Sequence, residues 1–276
     1  MKLGDRIALV TGGGSGIGRA IALTFAEEGA RVVVNDVRAA AAKETLEAMG
    51  PRQAQGRAIQ ADVSDSGQVR AMFAELEREL GTLDILVNNA GIAETAPGER
   101  ERLGAKSEAR MKELASGQGI QTHWDVTQEM PDEAWDSVIS VNLRGTFLCS
   151  RAALQHMIPQ RSGRIINTAS GLGIRGSPGG AVYGASKAAI INFTKSLAQE
   201  VARYGITVNA IAPGVTDTPL WRGFRSDADI VEALESGRVG APEDFVPLVI
   251  FLCSEAGGIH CGIMVDRDIY VSMGER

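Results

Sequence analysis

A glycine-rich turn between a short apolar run and a helix constrains the fold of this chain more than any other stretch. The run Ile7–Val10 has the length of a buried strand. The segment Thr11–Gly18 follows it, and a helix is predicted from about residue 19 to residue 28, where Gly29 ends it. A strand, a glycine-rich turn and a helix in this order form the arrangement that binds phosphate groups in parallel α/β sheets.

The glycines of this turn are spaced as G-x-x-x-G-x-G, at Gly12, Gly16 and Gly18, and not as the G-x-G-x-x-G of the dinucleotide fingerprint. Glycine lets the backbone approach a pyrophosphate closely, and the first turn of the helix offers free N–H groups and the positive end of its dipole. Ser15 and Ile17 lie between these glycines and complete the predicted phosphate-binding set. The alternative is an ordinary flexible turn.

An acidic residue ends the second predicted strand, at residues 31–36. Asp36 lies 18 residues after Gly18, close to the spacing of about 20 residues at which a carboxylate binds the ribose 2′-hydroxyl. Because such a carboxylate repels a 2′-phosphate, we predict NAD as the cofactor and expect NADP to be disfavoured. Arg38 could offset this repulsion, and Asp36 could instead be an ordinary turn residue at the end of a strand.

Strand and helix patterns alternate along the rest of the chain. This alternation is typical of a doubly wound parallel sheet, so we predict a Rossmann-type fold with three α/β/α layers. At 276 residues the chain can bury its core as one domain, and we predict a single NAD(P)-binding domain over residues 1–276. Further strands are predicted at 56–63, 83–87, 163–170, 206–212 and 259–270, and further helices at 39–49, 66–80, 131–157 and 183–197 and from residue 242.

Two irregular segments follow strands on the crevice side of the predicted sheet. Residues 94–125 carry many charges and a thin apolar stripe, and we predict a short helix or a mobile excursion there. This insertion could be a lid or a wall of the substrate pocket, or it could be a solvated decoration. The second segment, 215–240, is predicted to be the substrate loop, where three large apolar side chains suggest a partly apolar pocket: Leu220, Trp221 and Phe224.

A tyrosine and a lysine that are four residues apart, Tyr183 and Lys187, carry the predicted chemistry. On a helix they share one face, although such a pair can also be an ordinary surface pair. A phenol has a pKa of about 10, and a nearby ammonium favours the phenolate, so Tyr183 is a candidate proton donor and acceptor. The predicted strand at 163–170 ends in Ser170, at the edge where open α/β sheets bind ligands.

The bulk properties of the chain argue against several other classes of protein. A net charge of -6 disfavours a nucleic-acid surface. The sequence has no apolar run long enough to span a membrane, and no room for a signal peptide before the first strand, so we expect a cytoplasmic protein. The cysteines are odd in number, and neither they nor the scattered histidines have metal-ligand spacing, so no metal site is predicted. These residues are Cys149, Cys253, Cys261, His123, His156 and His260.

Taken together, these residues resemble those of the short-chain dehydrogenase/reductase family in its single-domain form. The resemblance covers nearly the whole chain except for residues 94–125 and the extreme C-terminus. It implies hydride transfer between a secondary alcohol or ketone and a nicotinamide. Its markers occur in the family's order: Thr11–Gly18, Asp62 with Val63, Asn88–Gly91, Asn142, Ser170, Tyr183 with Lys187, and Pro213 with Gly214.

The resemblance also implies a role for each matched residue. Tyr183 would be the acid/base at the substrate oxygen, and Ser170 would steady that oxygen by a hydrogen bond. Lys187 would hold the nicotinamide ribose and lower the pKa of the tyrosine, while Asn142 would anchor a water in a proton relay. The remaining matched residues would contact the adenine (Asp62 and Val63), the ribose (Asn89) and the nicotinamide side (Val215 and Thr218).

Two alternative functions remain open at this stage. One is a 3-oxoacyl thioester reductase, which normally favours NADPH and is therefore disfavoured by Asp36. The other is a non-catalytic regulator that senses NAD, in which the tyrosine or the lysine would be expected to be lost. The resemblance implies a homotetramer or a homodimer, although residues 265–268 depart from the Val-Asp-Gly-Gly that lies near subunit contacts in many relatives.

Overall fold

The computed structural model describes residues 1–93, 99–117, 119–177, 179–223, 225, 227–237, 239–262 and 264–266, and only the backbone at 99, 100, 228 and 264–266. Within this part of the chain, seven parallel strands form one sheet. The predicted doubly wound parallel sheet is thereby confirmed. Its strands are β1 (Ile7–Thr11), β2 (Arg31–Asp36), β3 (Arg57–Gln60), β4 (Ile85–Asn88), β5 (Gly163–Thr168), β6 (Ile206–Ala212) and β7 (Met264–Asp266).

The strand order is β3-β2-β1-β4-β5-β6-β7, so the direction of winding reverses between β1 and β4. Both neighbours of β1 pair with it in parallel, with Leu9 beside Val33 on one side and Leu86 on the other. Every residue of β1, β4 and β6 is buried, because helices cover both faces of a parallel sheet of this kind. The reversal leaves a crevice at the carboxyl ends of these central strands.

Helices cover both faces of the sheet. One apolar layer places Phe25 and Ile250 against the sheet, and the other contains Met72, Met157 and Leu197. The helices are α1 (Gly16–Glu27), α2 (Ala39–Ala48), α3 (Ser66–Leu80), α4 (Glu99–Ser116), α5 (Val126–Glu129), α6 (Asp132–Ile139), α7 (Gly145–Gln160), α8 (Ala181–Val201), α9 (Pro219–Arg222), α10 (Asp227–Glu235) and α11 (Val246–Cys253). In the described part of the chain, none of them is long and apolar enough to cross a membrane.

A π-helical turn, Ser140–Arg144, divides the helix that the sequence predicts over residues 131–157. The turn joins α6 to α7 without a break in the helical backbone. Each π turn contains one more residue than an α turn, and hydrophobic periodicity does not reveal it. Asn142 lies inside this turn and is fully buried.

The inserted segment contains a longer helix than the sequence predicts, since α4 has 18 residues. Its partner is the stretch at 119–129: Lys106 Nζ donates to the Trp124 carbonyl at 2.8 Å, and Arg102 forms an ion pair with Glu129. The Glu113 carboxylate accepts hydrogen bonds from the hydroxyl and the amide of Thr122. Two residues of the predicted apolar stripe, Met111 and Leu114, are exposed. Polar contacts, rather than this stripe, attach α4. Residues 94–98 lie outside the described part of the chain.

Smaller differences occur at element ends. Strand β5 ends at Thr168, so Ser170 is in the turn that follows it, and α8 begins at Ala181. The predicted last strand at 259–270 is found as β7, and residues 267–276 are outside the described part of the chain. The 3₁₀ turn Gly171–Gly173 follows β5, and the 3₁₀ turn Pro242–Phe245 leads into α11.

Candidate active site

A cleft of about 560 Å³ lies at the carboxyl ends of the central strands. It brings together residues that the sequence predicts from motifs far apart in the chain. Two predicted residues, Gly18 and Asn142, do not line it and lie behind its wall. The predicted residues that line the cleft are Gly12, Ser15, Gly16, Ile17, Asp36, Asp62, Val63, Asn89, Ser170, Tyr183, Lys187, Val215 and Thr218.

The glycine turn at one end of the cleft has no room for side chains. Gly12 has a φ of +61°, and an added Cβ would lie 2.8 Å from the Cα of Ala90. A Cβ on Gly18 would collide with the Gly12 carbonyl and the Asn89 side chain. Gly18 is therefore needed for close packing behind the wall of the cleft. Ser15 precedes α1 and its side chain makes no capping hydrogen bond. The turn therefore fits a pyrophosphate at the helix N-terminus.

Asn89 and Thr11 brace this turn. The Asn89 side chain donates to the Thr11 carbonyl at 3.2 Å and to the Gly12 carbonyl at 3.1 Å. The Thr11 hydroxyl accepts hydrogen bonds from the backbone amides of Asn89 and Ala90, each at 3.1 Å. Asn89 lines the cleft, as predicted, and it also ties the loop after β4 to the loop after β1.

The carboxylate predicted to bind a ribose lies at the carboxyl end of β2. Asp36 is only 6% exposed, and its Oδ2 accepts the amide of Gly14 at 3.1 Å. Its Oδ1 accepts the amide of Arg38 at 3.0 Å, and the Arg38 Nε lies 3.5 Å away. A Cβ on Gly14 would lie 2.6 Å from Oδ2. Gly14 is therefore part of the site, although the sequence-based prediction omits it. The consecutive glycines at 12–14 were the available signal.

Two further predicted cofactor residues, Asp62 and Val63, follow β3. The Asp62 carboxylate accepts both the amide and the hydroxyl of Ser64, at 2.8 and 2.7 Å. Val63 is buried, and a Cβ on Gly145 would lie 2.7 Å from its methyl group. The start of α7 is therefore close enough to hold Val63 in the wall.

Ser170, Tyr183 and Lys187 meet in one wall of the cleft. Lys187 is 3% exposed, and its Nζ donates to the carbonyl of Thr168 at 2.8 Å and lies 5.5 Å from the centre of the Tyr183 ring. The Ser170 hydroxyl is hydrogen-bonded to Tyr183 and accepts the amide of Leu172 at 3.2 Å. These contacts place a hydroxyl, a phenol and an amine together in one wall of the cleft.

Burial dominates the titration of this group. It lowers the pKa of Lys187 to about 8. It raises the pKa of Tyr183 above its ordinary value, and the hydrogen bond from Ser170 acts in the opposite direction without reversing the shift. The sequence predicts a lowered tyrosine pKa, and the structure corrects this. The reason is that both groups are removed from water, which disfavours the charged forms of each.

Asn142 supports the site from behind. Its Oδ1 accepts the amide of Ile92 at 2.8 Å, and its Nδ2 donates to the Ile92 carbonyl at 2.9 Å and to the Ser186 hydroxyl at 3.0 Å. A Cβ on Gly91 would lie 3.2 Å from Oδ1 and 3.4 Å from the Lys187 amine. The side chain thus joins the loop after β4 to helix α8 between Tyr183 and Lys187.

The loops after β5 and β6 form another wall of the cleft. These loops are linked, since the amide of Gly171 donates to the carbonyl of Pro213 at 3.1 Å. Thr218 caps α9. The Thr218 methyl group lies close to the glycine turn, since it would be 3.0 Å from a Cβ added to Gly16. The wall also contains residues that the sequence-based prediction did not assign to the site: Leu172, Arg175 and Arg225, with the predicted Leu220 and Trp221. Phe224 is outside the described residues.

The described part of the insertion does not line the cleft. Helix α4 packs with residues 119–129, and a Cβ on Gly179 would contact Trp124 and Val126. The insertion therefore lies beside the loop that leads into α8. The hypothesis of a lid or substrate wall stays a prediction, which deletion of residues 99–118 would test through substrate affinity and range.

The sequence matches the family described as short chain dehydrogenase over residues 6–229. The chain belongs to this family. Short-chain dehydrogenases of this kind are oxidoreductases of alcohol and keto groups, and the chain is one of them. Within the described residues, no cluster of three or more His, Cys, Asp or Glu side chains could hold a metal ion.

Three similar proteins illustrate the range of this short-chain dehydrogenase family. The (2S)-[(R)-hydroxy(phenyl)methyl]succinyl-CoA dehydrogenase subunit BbsD of Thauera aromatica is 34% identical over 264 residues, which cover 95% of this chain and 94% of that protein. The 3-oxoacyl-[acyl-carrier-protein] reductase FabG of Thermotoga maritima is 34% identical over 275 residues, covering 97% and 98%. The crystal structure of the 3-ketoacyl-(acyl-carrier-protein) reductase of Brucella melitensis with NADH has a TM-score of 0.78 at 29% identity, covering 96% and 97%.

Proposed function

We propose that this protein is an NAD-dependent oxidoreductase that transfers a hydride between a secondary alcohol or ketone and a nicotinamide. One observation carries the proposal: Ser170, Tyr183 and Lys187 meet in a cleft whose other end presents the glycine turn and the Asp36 carboxylate. The cofactor supplies the redox chemistry when bound, and the protein supplies position and a proton.

The residues of the cleft fit a dinucleotide along its length. The turn at 12–18 would bind the pyrophosphate, and the Asp36 carboxylate would accept hydrogen bonds from the ribose hydroxyl groups. The buried Asp36 carboxylate would repel a 2′-phosphate, which supports NAD over NADP, although the exposed Arg38 pairs with it. The adenine would lie by Asp62 and Val63, one ribose by Asn89, and the nicotinamide by Val215 and Thr218.

The chemistry assigned to the wall follows from the positions of its polar atoms. The Tyr183 hydroxyl would exchange a proton with the substrate oxygen, and the Ser170 hydroxyl would hold that oxygen in place. Lys187 is anchored by the Thr168 carbonyl at 2.8 Å, so its amine has a fixed position beside the phenol. Asn142 keeps α8 and the loop after β4 together, and its role in a water-mediated proton relay stays a prediction.

A second candidate is a 3-oxoacyl thioester reductase. The similarity to FabG of Thermotoga maritima favours it. Asp36 argues against NADPH as its cofactor, whereas the related Brucella melitensis reductase was crystallised with NADH. A regulator that only senses NAD is disfavoured, because the asparagine, serine, tyrosine and lysine of the predicted catalytic group are all present.

The test is NADH formation from NAD with a panel of secondary alcohols, and NADH consumption with ketones and 3-oxoacyl thioesters. We expect turnover with NAD that falls by about 10²–10⁴-fold in Tyr183→Phe, while NADH affinity is retained. A Tyr183→Phe variant that turns over as well as the wild type would contradict the mechanism. Retained NADH binding with no turnover on any compound would favour the regulator.

We also propose a homodimer or homotetramer, as the family resemblance implies, and light scattering of the purified protein tests this. A cytoplasmic location stays a prediction from the sequence.

A further inference from the structure

The ionisable side chains that line the cleft are distributed unevenly. Asp36 and Asp62, the carboxylates among the described lining residues, follow β2 and β3, and Arg38 also lines the cleft there as the partner of Asp36. Arg175 and Arg225 line the cleft from the segments that follow β5 and β6, on the other side of β1 in the sheet. The two arginines therefore give the β5–β6 side of the cleft a positive charge, and no carboxylate among the described lining residues lies in those segments.

Arg225 is held against the wall of the cleft. Its guanidinium carbon lies 4.5 Å from the centre of the Trp221 ring, and its Nη1 donates to the Trp221 carbonyl at 2.8 Å. Burial lowers the pKa of Arg225, and the carboxylate of Asp229 acts in the opposite direction. A guanidinium stays protonated in proteins, so this exposed side chain carries a permanent positive charge.

The segments that carry the arginines also carry apolar side chains. Leu172 follows β5 and Leu220 follows β6; both line the cleft, and they are 38% and 37% exposed. A short hydrocarbon segment of a ligand would cover these side chains and remove their surface from water. The β5–β6 side of the cleft therefore combines an apolar wall with two cations.

We propose that the substrate carries an anionic group, a carboxylate or a phosphate, which Arg225 and Arg175 bind while the carbinol or keto carbon lies at Ser170 and Tyr183. This inference rests on the proposed function and narrows its substrate class to anionic hydroxy or oxo compounds. A guanidinium binds carboxylates and phosphates through paired N–H groups, which would also orient the substrate along the apolar wall.

The experiment compares matched anionic and neutral substrates. Linear hydroxy acids of increasing length and their methyl esters test a carboxylate, and 3-oxoacyl-CoA thioesters and their neutral N-acetylcysteamine analogues test a phosphate. We expect the wild type to prefer the anionic member of one pair. Arg225→Gln should lower kcat/KM for that member by about tenfold, mainly through KM, and change the neutral member by less than about twofold. Arg175→Gln should act in the same direction, and Arg225→Lys should restore part of the loss.

Arg222→Gln is the matched control. Arg222 lies close by in sequence and carries the same charge, but it is paired with Asp217 through two hydrogen bonds of 2.5 and 2.8 Å and does not line the cleft. This variant should keep the wild-type ratio of anionic to neutral turnover. Equal preference in the wild type for every pair, or equal losses on both members in Arg225→Gln, would overturn the proposed anion site.

Calorimetric titration of the same compounds into the protein with NADH separates this proposal from the proposed function. Selective binding of the anionic member that depends on Arg225, without any turnover, would support the anion site and contradict the oxidoreductase. Turnover without charge selectivity would contradict the anion site alone.

Discussion

Both carboxylate oxygens of Asp36 accept hydrogen bonds from backbone amides, those of Gly14 and Arg38. The side chain nevertheless lines the cleft. The carboxylate thus both supports the glycine turn and faces the proposed cofactor site. We predict that Asp36→Asn lowers kcat/KM with NAD by about tenfold, since a charged hydrogen-bond acceptor is lost. Turnover with NADP should rise in the same variant.

Glu44→Gln is the control for this prediction, because it removes the same charge from an exposed position on α2. It should leave the ratio of NAD to NADP turnover unchanged. The same ratio in Asp36→Asn as in the wild type would show that Asp36 does not select the cofactor.

Lys187 gives the protein a distinct pH dependence. Its pKa is lowered by burial from 10.5 to about 8, so the folded protein binds this proton less tightly than the unfolded chain. The free energy of unfolding should therefore rise with pH across this window, by about 3 kcal/mol at most. Below the window both states carry the proton, and above it neither does.

The measurement is urea unfolding of the wild type and Lys187→Met at several pH values from about 7 to 10.5. The difference between the two proteins isolates the lysine, because the other titrating groups are common to both. The wild type should gain stability relative to the variant as the pH rises. A difference that does not depend on pH would place the pKa of Lys187 at its ordinary value.

The residues of the site differ in how far sequence could predict them. Asp36 follows from its distance to the glycine turn, and Tyr183 and Lys187 follow from helical spacing. Arg175 and Arg225 lie in irregular segments, where no periodicity tells which side chains face a cleft. The direction of the Tyr183 pKa depends on burial, which only the folded structure shows.

Helix α4 is held by charged and polar contacts rather than by an apolar face. Met111 and Leu114 are 61% and 58% exposed, whereas Lys106, Arg110 and Glu113 all bond to residues 122–129. Hydrophobic periodicity cannot predict the length of such a helix, because its partners come from a different segment. The same limit applies to the π turn at Asn142.

Gly104 offers a test of α4. An added Cβ would meet no atom within 4 Å, and the backbone there is helical. Gly104→Ala should therefore stabilise the helix by about 1 kcal/mol. Amide hydrogen exchange in α4 should slow, while kcat/KM stays unchanged.

Gly117 is the matched control at the end of the same helix. It also has no atom near an added Cβ, but its φ is +69°, where alanine is strained. Gly117→Ala should therefore speed exchange in the last turn of α4. If both variants change exchange in the same direction, the helical assignment at Gly104 or the end at Gly117 is wrong.

The reversal of winding between β1 and β4 places the whole ligand cleft at one edge of the sheet. Sequence alternation alone indicates a parallel sheet of this kind, and the motif order places the ligand loops at its carboxyl edge. The strand order and the register depend on how β1 pairs with β2 and β4, and no local pattern in the sequence predicts that pairing.

Because loops from β1, β2, β4, β5 and β6 all line the cleft, a ligand that bridges them should stabilise the whole molecule. At a concentration of about 100 times its Kd, NADH should raise the free energy of unfolding by about 2.7 kcal/mol. NADPH at the same concentration should raise it less. Equal stabilisation by both cofactors would contradict the proposed preference, and none by either would contradict the cofactor site.

The π turn at Ser140–Arg144 couples the length of the chain to the orientation of two helices. Each residue turns a helix by about 100°, so the loss of one residue here would rotate the face of α7 relative to α6 by that angle. Asn142 could then keep its bonds to Ile92 and Ser186 only if Met157 and Cys149 left the core, or the reverse. A substitution in this turn can be accommodated by local shifts, whereas a deletion would disrupt either the proposed catalytic wall or the apolar layer beneath it.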